Sequence, residues 1–281
     1  MRILLLGYGV MGQAVERLAT EGGHDIAGRV DSGHPVIERD TFQADVAIEF
    51  AGPDGAPPRI RQTVAAGIPV VSGSTGWEEQ FDVVRRTVDE ERGALLHAPN
   101  LSMGVAIFER VVRRAARLLD VVPEYRLDLE ETHHTRKIDH PSGTARWLAD
   151  GVVQRVSRLD GWTAQLLSDV REVDGGEGRT RGDAGTQEDV GALRADAQAD
   201  GEADGGRLLP VRSRREGDVP GTHVLRATGP DDLIELTHRA RTRDGFARGA
   251  IRAAEWLPGR RGVYTLDDML DDLLPPESDP S

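Results

Sequence analysis

The sequence predicts an α/β protein: a Rossmann-like, doubly wound parallel sheet at the N-terminus, followed by a central α+β domain. Three observations carry that expectation. Short apolar runs alternate with amphipathic helical stretches over the first hundred residues, the order that gives parallel strands covered on both faces. A glycine turn, "GYGVMG", joins the first run to the first helix. Beyond residue 120, strands of period two appear instead, the pattern of a half-buried sheet.

Ile3 to Leu6 is a continuous apolar run, as in a buried parallel strand. Val10, Met11, Ala14, Val15 and Leu18 then recur at helical spacing. "HDIAGRV" before Asp31, "ADVAIEF", "IPVVSGS" and "GALLHAP" read as the next four strands. "PPRIRQTVAAG" and "EEQFDVVRRTVDEER" are the helices between the later ones. "LSMGVAIFERVVRRAARLLD" (101–120) is a strong helix, with Val105, Phe108, Val111, Val112, Ala115 and Leu118 in one stripe. "EYRLDLEETHH" alternates like a strand, "GTHVLRATG" and "DLIELTHRA" give two more, and "GFARGAIRAAEWL" is helical. From Glu172 to Asp204 acids and glycines replace large apolar residues, so residues 172–206 are read as a mobile acidic insertion.

The bulk properties narrow the function. The chain of 281 residues has room for two domains, and with no cysteine it has neither disulfides nor thiolate chemistry. A net charge of −13 argues against a nucleic-acid surface. No apolar run reaches the length of a membrane span, and the glycines of the N-terminus arrive too early for a signal peptide, so a cytoplasmic protein is expected.

Gly7, Gly9 and Gly12 have the spacing of a dinucleotide-binding turn. The first permits the tight turn, the second lets backbone approach a pyrophosphate, and the third lets helix pack on strand. Asp31 follows Gly12 by 19 residues, where an acid binds the ribose 2′-hydroxyl and repels a 2′-phosphate. NADH is therefore expected to bind at least as well as NADPH, with Arg29 the residue that would reverse the order.

Lys137 is the one lysine in a chain whose Lys and Arg total 35. A site needing only charge would have taken arginine here too. A lysine fits proton chemistry or a compact point charge, because arginine in effect never gives up its proton. His133, His134 and His140 lie within eight positions of one another. Each taken alone is as easily a satisfied polar residue. A metal on His133, His134, Asp139 and His140 is disfavoured, because neighbouring histidines on a strand face opposite ways. The catalytic reading explains more: His133 and Lys137 stand four apart at a strand exit, where an imidazole can exchange a proton near neutral pH. Ser142 is a natural N-cap, leaving the N–H groups of Gly143 and Thr144 free for an anion. Together these imply an acidic small-molecule substrate.

"ETHHTRKIDHPSGTA" matches at every fixed position the pattern E-x-H-H-x-x-K-x-D-x-P-S-G-T-A of the dihydrodipicolinate reductases, which act on 4-hydroxy-tetrahydrodipicolinate. "AIEFAGPDG", "VVSGSTGW", "APNLSMGV", "RREGDVPGTHVL" and "THRARTRDGFARGAIRAAEWL" also resemble blocks of that family, in family order. The acidic insertion departs from the pattern, as does His140, where a small residue is common. The resemblance implies a dinucleotide-binding domain from residues 1–101 and 244–281, and a domain from 102–243 for substrate binding and tetramerisation. It implies reduction of 4-hydroxy-tetrahydrodipicolinate to tetrahydrodipicolinate, with loss of water, by NADH or NADPH. His133 would be the proton donor or acceptor and Lys137 the proton donor, with His134, Gly143 and Thr144 on the substrate. Gly7, Tyr8, Gly9, Val10, Met11, Gly12, Asp31, Gly73, Ser74, Thr75, Ala98, Pro99, Asn100 and Leu101 would line the cofactor, with Arg243 and Phe246 near it. The partner implied is a small dicarboxylate, in a homotetramer without metal. Two rivals stand beside this: another two-domain NAD(P)-dependent amino- or hydroxy-acid dehydrogenase, and a non-catalytic dinucleotide sensor.

Overall fold

A computed structural model describes residues 1–31, 41–167 and 207–274. The acidic segment 172–206 and the C-terminal 275–281 lie outside the described residues. In chain order the elements are β1 (Arg2–Leu6), α1 (Val10–Glu21), β2 (Asp25–Val30), β3 (Val46–Glu49), α2 (Ala56–Ala65), β4 (Val70–Ser72), α3 (Phe81–Glu90), β5 (Ala94–His97) and α4 (Met103–Asp120). Then come β6 (Arg126–His133), α5 (Gly143–Val153), β7 (Gly161–Leu166), β8 (Leu208–Arg215), β9 (Thr222–Thr228), β10 (Leu233–Arg239), α6 (Asp244–Trp256), β11 (Gly262–Tyr264) and α7 (Leu266–Leu273).

The first sheet has six parallel strands in the order β11-β5-β4-β3-β1-β2. Side chains of β1 alternate between two cores. Ile3 and Leu5 pack with Val15, Ala250 and Met269 of α1, α6 and α7, whereas Leu4 and Leu6 pack with Ile60 and Val84 of α2 and α3. Both faces are covered, which is why the run is apolar throughout. Each fully buried leucine contributes roughly 1.5–3 kcal/mol, and Leu5→Ala would cost about 2–5 kcal/mol. The sixth strand, β11, was not evident in sequence. It has only three residues, none of them fully buried.

The second sheet is mixed, in the order β10-β9-β6-β8-β7. β9 is antiparallel to β6 and β10, while β8 is parallel to β6 and β7. Leu127 and Leu129 of β6 face α4 and α5, packed with Val112 and Leu148. Asp128 and Glu130 face the other way, among Arg212, Arg214 and Arg226. β7 and β8 were also missed: β7 is exposed along most of its length, and Pro210 argues against a strand inside a sheet. α4 starts at Met103 rather than Leu101, because Ser102 is its N-cap and accepts from Val105 N. It ties the two halves together, with Ala106 in the first core and Phe108, Val112 and Ala116 in the second.

Candidate active site

At the carboxyl ends of the parallel strands, the glycine turn is held by contacts no side chain would permit. Gly7 has φ +89° and donates to Val30 O at 2.8 Å, and a Cβ there would stand 2.4 Å from Phe50 O. A Cβ at Gly12 would stand 2.3 Å from Gly7 O. Gly9 differs. It caps α1, and its missing Cβ faces open space, with nothing within 4 Å. In front of that opening lie the backbone N–H groups of the first turn, which includes Val10 and Met11 and lacks a side-chain cap. Tyr8 flanks the turn half-buried, and Val10 is exposed.

The loops after β3, β4 and β5 reach the same edge, as the parallel topology requires. Glu49, wholly buried at the end of β3, fastens two of them. It accepts from Ser72 Oγ at 2.6 Å, Ser74 Oγ at 2.7 Å and the amide of Ala51. Ser74 Oγ in turn accepts from Gly52 N. Burial raises the carboxyl above the usual carboxylate range, and the hydrogen bonds from Ser72, Ala51 and Ser74 offset only part of that. Sequence reasoning passed over Glu49; the signal was an acid closing an otherwise apolar strand, "VAIE". A Cβ at Gly73 would collide with Phe50, while Thr75 is exposed. Ala98 and Leu101 turn their side chains into the first core, so they offer the cleft only backbone. Pro99 is exposed between them. Asn100 reaches the other half: its Nδ2 donates to Thr144 Oγ1 at 3.0 Å.

At the end of β2, Asp31 is exposed and its carbonyl accepts from Arg59. Arg29 grips both oxygens of Glu16 and lies 5.4 Å from the centre of the Tyr8 ring. Its guanidinium is therefore already engaged. Arg243 precedes α6 and lies 3.0 Å from His134 Nε2, and Phe246 N donates to Arg243 O.

The second half brings the histidine–lysine cluster to the end of β6. The alternation that points Leu127 and Leu129 inward also turns Glu131 and His133 inward, and both are buried. His133 Nδ1 lies 3.2 Å from Glu131 Oε2, and His223 of β9 approaches the same oxygen at 3.8 Å. Glu131 Oε1 accepts from Ser142 N at 3.0 Å and Ser213 Oγ at 2.8 Å. Arg215 pairs with that oxygen at 3.3 Å. Burial disfavours the charge on Glu131, but contacts from His133, Ser142 and Ser213 outweigh it and hold the carboxyl far below the usual range. Burial and the neighbouring His133 push His223 down to about 3, so it is neutral at physiological pH.

Lys137 lies half-buried in the loop after β6, with Nζ 2.8 Å from Asp139 Oδ1. Burial works against the charge on Asp139, and Lys137 outweighs it, keeping that carboxyl low. Its positive charge also acts on His134 and His223. Partial desolvation, then Arg243 and Arg136, hold His134 below the usual imidazole value. Ser142 caps α5 through Ala145 N at 3.1 Å, leaving Gly143 exposed in the first turn beside Thr144. His140 is exposed, its Nδ1 3.4 Å from Ile138 O.

The donor set weighed from sequence for a metal does not converge: His134 meets Arg243, Asp139 meets Lys137, and His140 faces outward. Among the described residues a different trio has donor atoms within 4.8 Å of one another, namely Glu131, His133 and His223. Sequence reasoning missed Glu131 as an individual residue, along with His223, Ser213 and Arg215. They lie up to 92 positions apart and meet only through strand pairing.

A glycine cradle whose one open position sits before free helix N–H groups fits a dinucleotide pyrophosphate. The fold around it is that of a two-domain, nicotinamide-dependent oxidoreductase. The family models agree in both halves: residues 1–101 match the dihydrodipicolinate reductase N-terminus and residues 104–270 its C-terminus. A 4-hydroxy-tetrahydrodipicolinate reductase of Christiangramia forsetii is 34% identical over 274 residues, covering 98% of this chain and 99% of the relative. One of Haloarcula marismortui is 37% identical over 232 residues, covering 82% and 78%. Among solved structures, a dipicolinate-bound dihydrodipicolinate reductase of Paenisporosarcina sp. TG-14 shares the fold, with TM-score 0.68, 17% identity and coverage of 98% and 99%. The chain belongs to the dihydrodipicolinate reductase family. No helix among the described residues is long and apolar enough to cross a membrane.

Proposed function

We propose that the protein reduces 4-hydroxy-tetrahydrodipicolinate to tetrahydrodipicolinate in lysine and diaminopimelate biosynthesis, in the cytoplasm, with His133 and Lys137 supplying the proton. One observation carries the assignment of roles. The run from Glu131 to Ala145 closes on itself, so that a buried imidazole, a half-buried ammonium and a capped helix N-terminus share one loop. The Paenisporosarcina relative was solved with dipicolinate, a planar dicarboxylate, which is the ligand shape such a loop suits.

The cofactor, when bound, supplies the hydride. The glycine turn and the N-terminus of α1 would hold its pyrophosphate, and the loops at Gly73, Ser74, Thr75 and Pro99 would line its far end. The rest of the chemistry falls to the chain. The N–H groups of Gly143 and Thr144, with His134, would hold a substrate carboxylate. Lys137 would exchange Asp139 for a second carboxylate and bring its ammonium to the ring. The 4-hydroxyl would leave as water, taking a proton from the neighbouring ring carbon. Hydride addition at the carbon that carried it then leaves electron density on that neighbouring carbon, and His133 and Lys137 would deliver the proton that restores it.

Residues 1–101 and 244–281 would form the cofactor domain and 102–243 the substrate domain, a division supported by α6 and α7 packing on the first sheet. The face of the second sheet turned from the helices, with Asp128, Glu130, Arg212, Arg226 and Glu235, would supply the contacts of a homotetramer. NADH would be used at least as well as NADPH, because Asp31 disfavours a 2′-phosphate and Glu16 occupies Arg29. Substrate generated in situ from pyruvate and aspartate semialdehyde should deplete nicotinamide absorbance with either cofactor. No depletion with either, from folded protein, would overturn the proposal.

A further inference from the structure

Every part of the acid/base loop is tied to one group. Glu131 exposes no surface, and all the elements that meet it belong to the second half. Its Oε2 faces His133 Nδ1 at 3.2 Å and His223 Nε2 at 3.8 Å. Its Oε1 takes the Ser142 amide, the residue that caps α5, at 3.0 Å and the Ser213 hydroxyl at 2.8 Å. Arg215, 3.3 Å from the same oxygen, also donates to the carbonyls of Lys137 and Asp139. Imidazole, anion-binding helix end and lysine loop thus converge on a single carboxylate.

We infer that Glu131 is the positioning residue of this site, fixing the His133 ring through one oxygen and the α5 cap and the Lys137 loop through the other. The inference rests on the roles proposed above for His133 and Lys137. With Nδ1 3.2 Å from the carboxylate, His133 keeps Nε2 for exchange with substrate. Glycine at 221 leaves that edge clear: a Cβ there would stand 3.0 Å from Nε2. His223 fills the far side of Oε2, its ring 5.2 Å from that of His133 and edge-on to it. Being neutral, it adds no second positive charge beside the carboxylate.

The charged groups around His133 are few. Glu131 lies on its own strand, Arg215 on β8, His223 on β9 and His238 beyond it on β10, with Lys137 and Asp139 on the following loop and Arg243 against His134. A resident cation on Glu131, His133 and His223 is the competing use of the same atoms. Arg215 beside Glu131 opposes it by adding a fixed positive charge.

The test compares the wild-type chain with Glu131→Gln and Ser213→Ala. In Glu131→Gln we expect kcat to fall on the order of 10²-fold, while NADH affinity, read by its fluorescence, stays within about twofold. The KM for substrate should change far less than kcat, because the anion-binding N–H groups of Gly143 and Thr144 remain. The His133 ring resonances, followed by proton NMR without substrate, should shift and broaden as the ring loses its fixed orientation. That second reading needs no turnover. An inactive wild type with the NMR shift intact would sink the proposed reaction and leave the positioning role standing. Should Glu131→Gln fail to fold, Ser213→Ala, which keeps the carboxylate and loses one hydrogen bond, should show a smaller change of the same sign. The inference is overturned by unchanged His133 ring resonances, by kcat within about threefold of wild type, by a parallel loss of NADH affinity, or by wild-type activity that a chelator abolishes and zinc restores.

Discussion

Glu49 closes β3 in the first sheet and Glu131 stands two residues before the end of β6 in the second. Neither exposes any surface, and each fastens the loops of its half. Their surroundings drive them in opposite directions. Glu49 meets hydroxyls and an amide, which cannot repay its lost hydration, and its carboxyl is raised. Glu131 meets His133 and Arg215 as well as a hydroxyl and an amide, and its carboxyl is lowered. Burial pushes both carboxyls up; it prevails at Glu49, and the partners of Glu131 reverse it. The first carboxylate is surrounded by backbone and dipoles and the second by charge, the difference that the proposed proton transfer would use.

The largest effect that would break this contrast concerns Lys137. Arginine keeps the charge but in effect cannot release a proton. Lys137→Arg should lower kcat on the order of 10²-fold or more, with NADH affinity unchanged. Turnover near wild type would mean that the second site, like the first, only holds its ligand.

The two sites also differed in how much of them the sequence disclosed. The glycine turn is contiguous, and its proposed role lies in backbone N–H groups that the glycine spacing itself exposes. Gly7, Gly9 and Gly12 could therefore be placed before any fold was known. The run from Glu131 to Ala145 was equally visible, because His133, Lys137 and Ser142 share one loop. The support was not. His223, Ser213 and Arg215 reach Glu131 across β6, β8 and β9, and no local pattern announces strand register. β8 itself was hidden by Pro210, and β11 by its three-residue length. Alternating apolar periods were enough for the parallel sheet, whereas edge and mixed strands took their identity from neighbours.

A middle-sized effect sharpens the account of the first site. Arg29 is gripped by Glu16 at two points, so the cation near the end of β2 is occupied within the protein. Glu16→Ala should release it toward a 2′-phosphate. The ratio of NADPH to NADH efficiency should then rise about tenfold, the scale of one exposed charge-assisted pair. An unchanged ratio would show that Arg29 does not reach that position and that Asp31 alone sets the preference.

The smallest effect separates the two carboxyls directly, through stability against pH. A carboxyl whose folded value lies below its unfolded one stabilises the fold above the ordinary range, near pH ~4.3, and loses that as pH falls through the folded value. Glu131 is of this kind, so the deficit of Glu131→Gln should be roughly constant from neutral pH to about 5 and shrink below that. It should reach about 3 kcal/mol, since Arg215 is left without its buried partner. Glu49 is the reverse. Its raised value makes the ionised form a burden at neutral pH, and the fold gains as pH falls through that value toward the unfolded one. Glu49→Gln should therefore be close to neutral, within about 1 kcal/mol at pH 7, and should become relatively less stable than wild type as pH drops toward ~4.3. Denaturant unfolding of the two variants across that range gives slopes of opposite sign if the partners decide the charge. Slopes of the same sign would mean that burial governs both glutamates alike.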